Sequence, residues 1–214
     1  MIKHSEFLDF LAKDMKVHIS YKDESLFMKI LGVILFFNKR FMSRMTTTIM
    51  DRIWFPSRER VRVWPSHYWR TLCHELVHVV DYRDKGWWFM LSYMLPQALS
   101  LFALLGLVFQ SWWFLLFLLF LAPLPAPWRK KAEMRGYAMS MAVDKWYYRE
   151  DLSEGYRNDL IETFTGSGYY FMWPFKGWVR KEINLWADRI NSGEIFEHGD
   201  IYRYVHDAIV EANK

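Results

Sequence analysis

The feature that most constrains the fold is a long stretch of chain without Asp, Glu, Lys, Arg or His, which runs from Phe89 to Leu124. Tryptophans mark its start, middle and end, at Trp87-Trp88, Trp112-Trp113 and Trp128. A bilayer crossing by a helix needs about 20 apolar residues. The composition therefore predicts a hydrophobic helical hairpin over residues 87–128, with helices at about 88–108 and 112–121, of which the second is short for a crossing.

This predicted hairpin has three interpretations. It spans a thin bilayer, it dips into one face and returns, or it is buried within a soluble protein or against a partner subunit. Cations flank both of its ends, at Arg83, Lys85, Arg129, Lys130 and Lys131. Because cations favour the cytoplasmic side of a membrane, an inserted hairpin would have both ends in the cytoplasm.

The aromatic content, the net charge and the cysteine count each restrict the class of protein. Aromatic residues make up 19% of the chain, which suits a belt of indole rings at a membrane surface. The formal net charge of +4 is small and scattered, so we expect no nucleic-acid partner. Cys73 is the single cysteine, which rules out a disulfide within the chain.

The pentapeptide His74-Glu75-Leu76-Val77-His78 predicts a metal site. The residues around it have a helical pattern, and two histidines four positions apart lie on one face of a helix. Both imidazoles can therefore reach one zinc ion, while Glu75 can act as general base toward a water on that metal. Cys73 lies about 100° around the helix from His74, so we interpret it as a packing residue.

A catalytic zinc takes three protein ligands and keeps one position for water. The spacing of Asp84 after His78 is that of the third ligand in metzincins, but those proteins need a glycine where this chain has Asp81. Glu133 is the better candidate, because its predicted helix directly follows the hairpin and can return to the two histidines. The alternative for Glu133 is a solvated carboxylate beside neighbouring lysines.

Three more residues are candidates for the surroundings of the metal. Tyr137, one turn after Glu133, could hydrogen-bond a ligand or stabilise an oxyanion, and helix packing is the alternative. Asp81, on the histidine face, could accept the second ring N–H of a ligand or form an ion pair with a neighbouring cation. Asp144 is a further candidate for supporting a ligand, because it lies on the face of Glu133. Either His198 or His206 could act as an electrophile if the C-terminal helices cover the cleft.

Hydrophobic periodicity places the other elements. Strands are predicted at 16–22, 46–55 and 60–64, and we expect 46–55 to hold an extended substrate. An amphipathic helix is predicted at 3–14, and residues 26–37 form an apolar helix that is either buried in the core or interfacial. Further helices, with a GSG turn at 166–168, are predicted at 131–147, 152–165, 178–191 and 201–212.

These motifs resemble those of the gluzincins, zinc peptidases that combine H-E-x-x-H with a downstream Glu. The order of histidine helix, hydrophobic segment and Glu133 also resembles the membrane metalloproteases of the heat-shock and CAAX prenyl protease group, whose site faces the cytoplasm. The block TTTIMDRIWFPS before WRTLCHELVH is similar to small uncharacterised zinc peptidases of bacteria and phages. The resemblance covers about residues 45–145. That membrane group commonly has Asp at the position of Tyr137; here Asp81 or Asp144 would take its role, or the site is built differently.

The sequence therefore predicts an α+β, zincin-like protein, mostly helical, with a small N-terminal sheet and an inserted hydrophobic hairpin. Its predicted parts are residues 1–86, 87–128 and 129–214. We expect a peptidase in which Zn²⁺ is held by His74, His78 and Glu133, with Glu75 and Tyr137 acting on a peptide or protein substrate. Residues 88–124 would contact a membrane or a hydrophobic partner. The alternative is a non-catalytic membrane-associated or phage-assembly protein, soluble or in a virion, with a structural or lapsed zinc site.

Overall fold

The computed structural model describes residues 4–36, 38–166, 169 and 171–212. This part of the chain is mostly helical and contains one three-stranded sheet, which confirms the α+β class. The contacts divide the chain into two units. Unit 1 comprises Met1–Asp84, Met139–Glu150 and Phe196–Lys214, and unit 2 comprises Lys85–Ala138 and Asp151–Ile195. The division into three parts at residues 86 and 128 stays a prediction.

Unit 1 begins with helix α1 (His4–Asp14) and contains the sheet. Strand β1 (His18–Tyr21) is parallel to β3 (Arg52–Phe55), and β2 (Thr47–Ile49) is antiparallel to β3 on its other side. The predicted strand at 46–55 is thus a hairpin, which turns at Met50 with a φ of 56°. Strand β3 is central because the side chains of Ile53 and Phe55 alternate onto the buried face.

Helix α2 (Leu26–Ile34) lies between β1 and β2 in the chain, and Ser25 caps it by accepting a hydrogen bond from the Met28 amide at 3.3 Å. The helix is shorter than the predicted 26–37, and Phe37 lies outside the described residues. Met28 is its one buried residue. A core position, one of the two interpretations of this helix, is therefore wrong.

The residues before the histidine helix do not form the predicted strand at 60–64. They form helix α3 (Arg58–Val63), because the Ser57 hydroxyl accepts a hydrogen bond from the Arg60 amide at 3.3 Å and so caps the first turn. Helix α4 (Pro65–Lys85) follows and confirms the predicted histidine helix. Pro65 suits its first position, where no amide hydrogen is needed.

The apolar segment of unit 2 is broken into short helices. These are α5 (Trp87–Met94), a 3-10 helix (Gln97–Leu104), α6 (Leu105–Phe109) and a second 3-10 helix (Trp112–Leu121). The prediction of one helix at 88–108 is wrong, because Pro96 holds Leu95 in an extended conformation and ends α5. The two 3-10 helices pack on each other, with the rings of Phe102 and Phe117 5.4 Å apart.

Among the described residues, no single helix is both long enough and apolar enough to cross a bilayer. One bent pair, Trp87–Met94 with Gln97–Phe109, satisfies length and composition together, at an angle of 89°. The first apolar stretch is thus a broken element rather than a continuous span.

The remaining helices agree with their predictions within a few residues. They are α7 (Pro127–Trp146), α8 (Glu154–Thr165), α9 (Lys176–Ser192) and α10 (Asp200–Ala212), with a 3-10 turn at Glu194–His198. Ser167 and Gly168 of the predicted GSG turn lie outside the described residues. Helix α7 is continuous, and its residues to Ala138 belong to unit 2 while those from Met139 belong to unit 1.

Candidate metal centre

The two histidines of α4 face each other through their Nε2 atoms. Both side chains are buried, and the distance from His74 Nε2 to His78 Nε2 is 3.2 Å. Two zinc–nitrogen bonds of about 2.05 Å at a tetrahedral angle would place two ligand nitrogens about 3.3 Å apart. The one-turn spacing on α4 therefore gives this pair the separation that a shared metal ion requires.

The other ring nitrogen of His74 has a contact on helix α7. Within unit 1, Ser140 Oγ lies 3.4 Å from His74 Nδ1. A partner at this nitrogen fixes the orientation of a ligand histidine and leaves Nε2 for the metal. Sequence reasoning did not propose Ser140, although its position two helical turns after Glu133 places both on one face.

Glu133 is buried, which excludes the solvated carboxylate as its interpretation. It precedes Ser140 by seven residues on α7, so helix geometry brings it to the side of α7 on which Ser140 meets His74. One ligand atom each from His74, His78 and Glu133 lie within 4.8 Å of one another. Among the described residues, these three form the buried group that could hold a metal ion.

Two tyrosines of unit 2 lie near the Glu133 carboxylate. Tyr93, on α5, donates a hydrogen bond from its hydroxyl to Glu133 Oε1. The guanidinium of Arg129 lies over the Tyr93 ring, 5.3 Å from its centroid, and also over the Tyr169 ring at 5.8 Å. Burial, followed by the negative charge of Glu133, raises the pKa of the Tyr169 hydroxyl well above its ordinary value. Sequence reasoning missed Tyr93, whose hydroxyl is one of the few polar groups in the apolar segment.

Tyr137, predicted as a ligand partner or oxyanion stabiliser, donates a hydrogen bond to the Tyr169 hydroxyl at 2.9 Å. Its ring also packs on Phe164, with the centroids 5.2 Å apart. These contacts fit the helix-packing interpretation of Tyr137, and its role beside a ligand stays a prediction. Tyr93 contacts the Glu133 carboxylate.

Glu75, the predicted general base, is buried beside the sheet. Thr48 Oγ1, on strand β2, donates to Glu75 Oε2 at 2.6 Å. The fully buried Lys22 lies close enough for its charge to interact with Glu75, and its Nζ donates to the Phe41 carbonyl at 2.8 Å. Burial lowers the pKa of the Lys22 amine to about 8, although the charge of Glu75 opposes the change.

The aspartates have separate positions. Asp144 Oδ2 accepts a hydrogen bond at 2.9 Å from Arg70, which lies one turn before His74 on α4, so this ion pair joins α7 to α4 within unit 1. Asp81 is buried, at 1% exposed, and its role beside a ligand histidine stays a prediction. Asp84 is exposed and does not belong to the histidine group.

The remaining candidates lie in other surroundings. The His206 ring packs against Trp146 and Phe196, with centroids 5.0 and 5.2 Å away, and its Nδ1 lies 3.1 Å from Asp207. His198 ends the 3-10 turn and is not part of the metal group. Cys73 is buried, and burial raises the pKa of its thiol, as expected of a packing residue.

Comparison of the chain with models of protein families, with curated proteins and with solved structures finds no match. The resemblance to gluzincins therefore stays a prediction from the motif.

Proposed function

We propose that this protein is a membrane-associated, zinc-dependent peptidase. The observation that carries the proposal is the 3.2 Å separation of two buried imidazole Nε2 atoms, together with the buried Glu133, since one ligand atom of each of the three residues lies within 4.8 Å of the other two. Two imidazoles and one carboxylate are a ligand set of zinc hydrolases, and a zinc ion held by these three residues would have a position open for water or substrate. A zinc ion bound there would lower the pKa of its water toward about 7.

Glu75 is the proposed general base and acid. Its carboxylate accepts a proton from the attacking water as the oxygen bonds to the scissile carbonyl carbon, and it then delivers that proton to the leaving amine as the C–N bond breaks. The Thr48 hydroxyl donates to Oε2, so Oε1 is the oxygen proposed to accept this proton.

The substrate is proposed to bind along strand β2. In the order β1-β3-β2 this strand is at an edge of the described sheet, and its Thr48 side chain contacts the proposed base. An extended peptide that pairs with such an edge would bring its backbone carbonyls past Glu75. Of the predicted substrate-binding strand at 46–55, the proposal therefore uses the first part, strand β2.

The membrane association is proposed from the apolar segment. Large apolar side chains are exposed along it; Leu107, for example, is 81% exposed and Trp88 75%. Contiguous apolar surface of this kind is rare on monomers in water and typical of membrane or protein interfaces. The tryptophans at its ends suit the headgroup region of a bilayer.

The proposal is tested with purified wild type and the matched variants Glu75→Gln and His74→Ala. The zinc content of each protein is measured by inductively coupled plasma mass spectrometry, and cleavage is measured on a peptide library. We expect Glu75→Gln to retain zinc and to lose about 10²- to 10⁴-fold in turnover. We expect His74→Ala to lose both zinc and turnover.

Two results would contradict the proposal. Cleavage by Glu75→Gln at the wild-type rate would exclude the general base. Failure of the zinc-loaded protein to bind a hydroxamate inhibitor would also contradict it. Such a zinc ion would have no open coordination position and would be structural.

A further inference from the structure

Helix α2 of unit 1 presents an apolar face to its surroundings. With 100° between successive residues, Leu26, Phe27, Ile30, Val33 and Ile34 fall within an arc of about 120°. All five are exposed, from 53% for Ile30 to 74% for Val33. Phe36, just after the helix, is 79% exposed.

The opposite side of the helix is held by unit 1, so this arc is fixed as the outer face. Met28 is fully buried on that side. Gly32 approaches the loop after the helix so closely that a Cβ there would lie 2.8 Å from Met42 Cγ. The same loop is held by Lys22, which donates to the carbonyl of the buried Phe41.

The helix and the loop after it carry positive charge only, whereas two exposed acids, Asp23 and Glu24, precede the helix, and Glu24 pairs with Arg58. Residues 25–50 contain no Asp or Glu. They contain four cations, all exposed, at Lys29, Lys39, Arg40 and Arg44. Lys29 lies at the edge of the apolar arc, about 40° from Val33, where a long aliphatic stem can follow the apolar surface and place its ammonium at the border.

We propose that α2 lies in the headgroup region of an anionic lipid bilayer, with its apolar arc toward the acyl chains and the four cations toward lipid phosphates. An apolar layer bordered by negative charge is the surface that this combination complements. A helix of nine residues is too short to span the bilayer, so it would lie along the surface. The proposal depends neither on the metal centre nor on the apolar segment of unit 2.

The test places an environment-sensitive fluorophore on the full chain at Val33→Cys. The buried Cys73 should label poorly, and wild type gives that background. The matched control is Val210→Cys on α10, a valine that is 43% exposed beside the acidic Glu211. Vesicles are made of phosphatidylcholine alone or mixed with phosphatidylglycerol, with and without lipids that carry a quencher on the acyl chain.

We expect the probe at position 33 to shift its emission to the blue and to be quenched by the labelled lipids when phosphatidylglycerol is present, whereas the probe at 210 does neither. The proposal would be overturned if the protein bound to the vesicles while the probe at position 33 kept the emission it has in water and was not quenched by the labelled lipids. The same conclusion would follow from equal signals on phosphatidylcholine alone. A blue shift without vesicles that grows with protein concentration would show that a second copy of the chain covers the face, and would also overturn it.

The charges are tested separately by neutralising Lys39, Arg40 and Arg44 to Gln. Each cation near an anionic surface contributes about fivefold, so the phosphatidylglycerol vesicle concentration that gives half the signal at position 33 should rise about a hundredfold. The matched control neutralises three exposed cations of α9, at Lys176, Arg180 and Lys181. Equal effects of the two triple variants would contradict the assignment.

Discussion

Replacing the buried Lys22 with Met should stabilise the protein, and the gain should disappear as the pH rises. The side chain is fully buried, and its amine has a pKa of about 8 instead of the ordinary 10.5. The cause is burial, which disfavours the charged form of the amine. Below about pH 8 the folded protein therefore carries a cation that would be more stable in water.

The sign and size of the effect follow from proton binding. Between about pH 8 and 10.5 the unfolded chain keeps the Lys22 proton while the folded chain has released it, so the free energy of unfolding of wild type rises with pH across this window. The difference between 10.5 and about 8, at about 1.4 kcal/mol for each pH unit, corresponds to about 3 kcal/mol. Met removes this dependence. It also removes the hydrogen bond to the Phe41 carbonyl, at a cost of about 1 kcal/mol, so the net gain near pH 7 should be about 2 kcal/mol.

The assay is urea denaturation of wild type and Lys22→Met at several values from about pH 7 to 10, in one detergent and with a chelator so that metal does not contribute. The control is Lys13→Met, which removes an exposed cation of α1. If the difference in unfolding free energy between wild type and Lys22→Met does not change with pH, the reasoning from burial of the amine is refuted.

Three further predictions follow from the contacts of the site. Tyr93→Phe removes the donor to Glu133 and should lower zinc affinity about tenfold to a hundredfold in competition with a chelating dye; unchanged affinity would contradict a supporting role for that hydroxyl. Arg70→Ala leaves the buried Asp144 without this cation, and because Arg70 is 35% exposed the loss of unfolding free energy should be about 2 kcal/mol in urea denaturation. Asp144→Asn should lower the cost of the Arg70 change, and full additivity of the two would count against the pair. Zinc at about a hundred times its dissociation constant should raise the free energy of unfolding of wild type by about 2.7 kcal/mol and that of His74→Ala far less, with equal gains arguing against this site.

The histidine helix could be predicted from sequence because its signals are local. The positions of His74, Glu75 and His78 on one helix depend only on the pitch of α4, and the structure has them there. The acid was harder to predict, because a partner from another helix depends on tertiary packing. Glu133 could nevertheless be proposed, because its predicted helix directly follows the hairpin and can return to the histidines, and one of its ligand atoms lies within 4.8 Å of theirs.

The secondary-structure predictions were wrong where a helix cap or a proline overrode the hydrophobic pattern. Residues 60–64 alternate like a strand, but Ser57 caps a helix there. The apolar composition at 88–108 predicted a single span, but Pro96 ends the first helix. The contacts of Ser140 with His74 and of Thr48 with Glu75 join residues 66 and 27 positions apart, and no spacing in the sequence reports them.

Because α7 is continuous, the geometry of the site depends on the number of residues between Glu133 and Ser140. Glu133 and Ser140, whose hydroxyl contacts His74, both belong to this helix. The angle between their side chains around the helix axis is therefore set by the number of residues between them. Deleting one residue between Glu133 and Ser140 would rotate one against the other by about 100°, although every side chain named in the centre would still be present. Related chains that keep this chemistry should therefore place their insertions in the loops before and after α7 rather than within it.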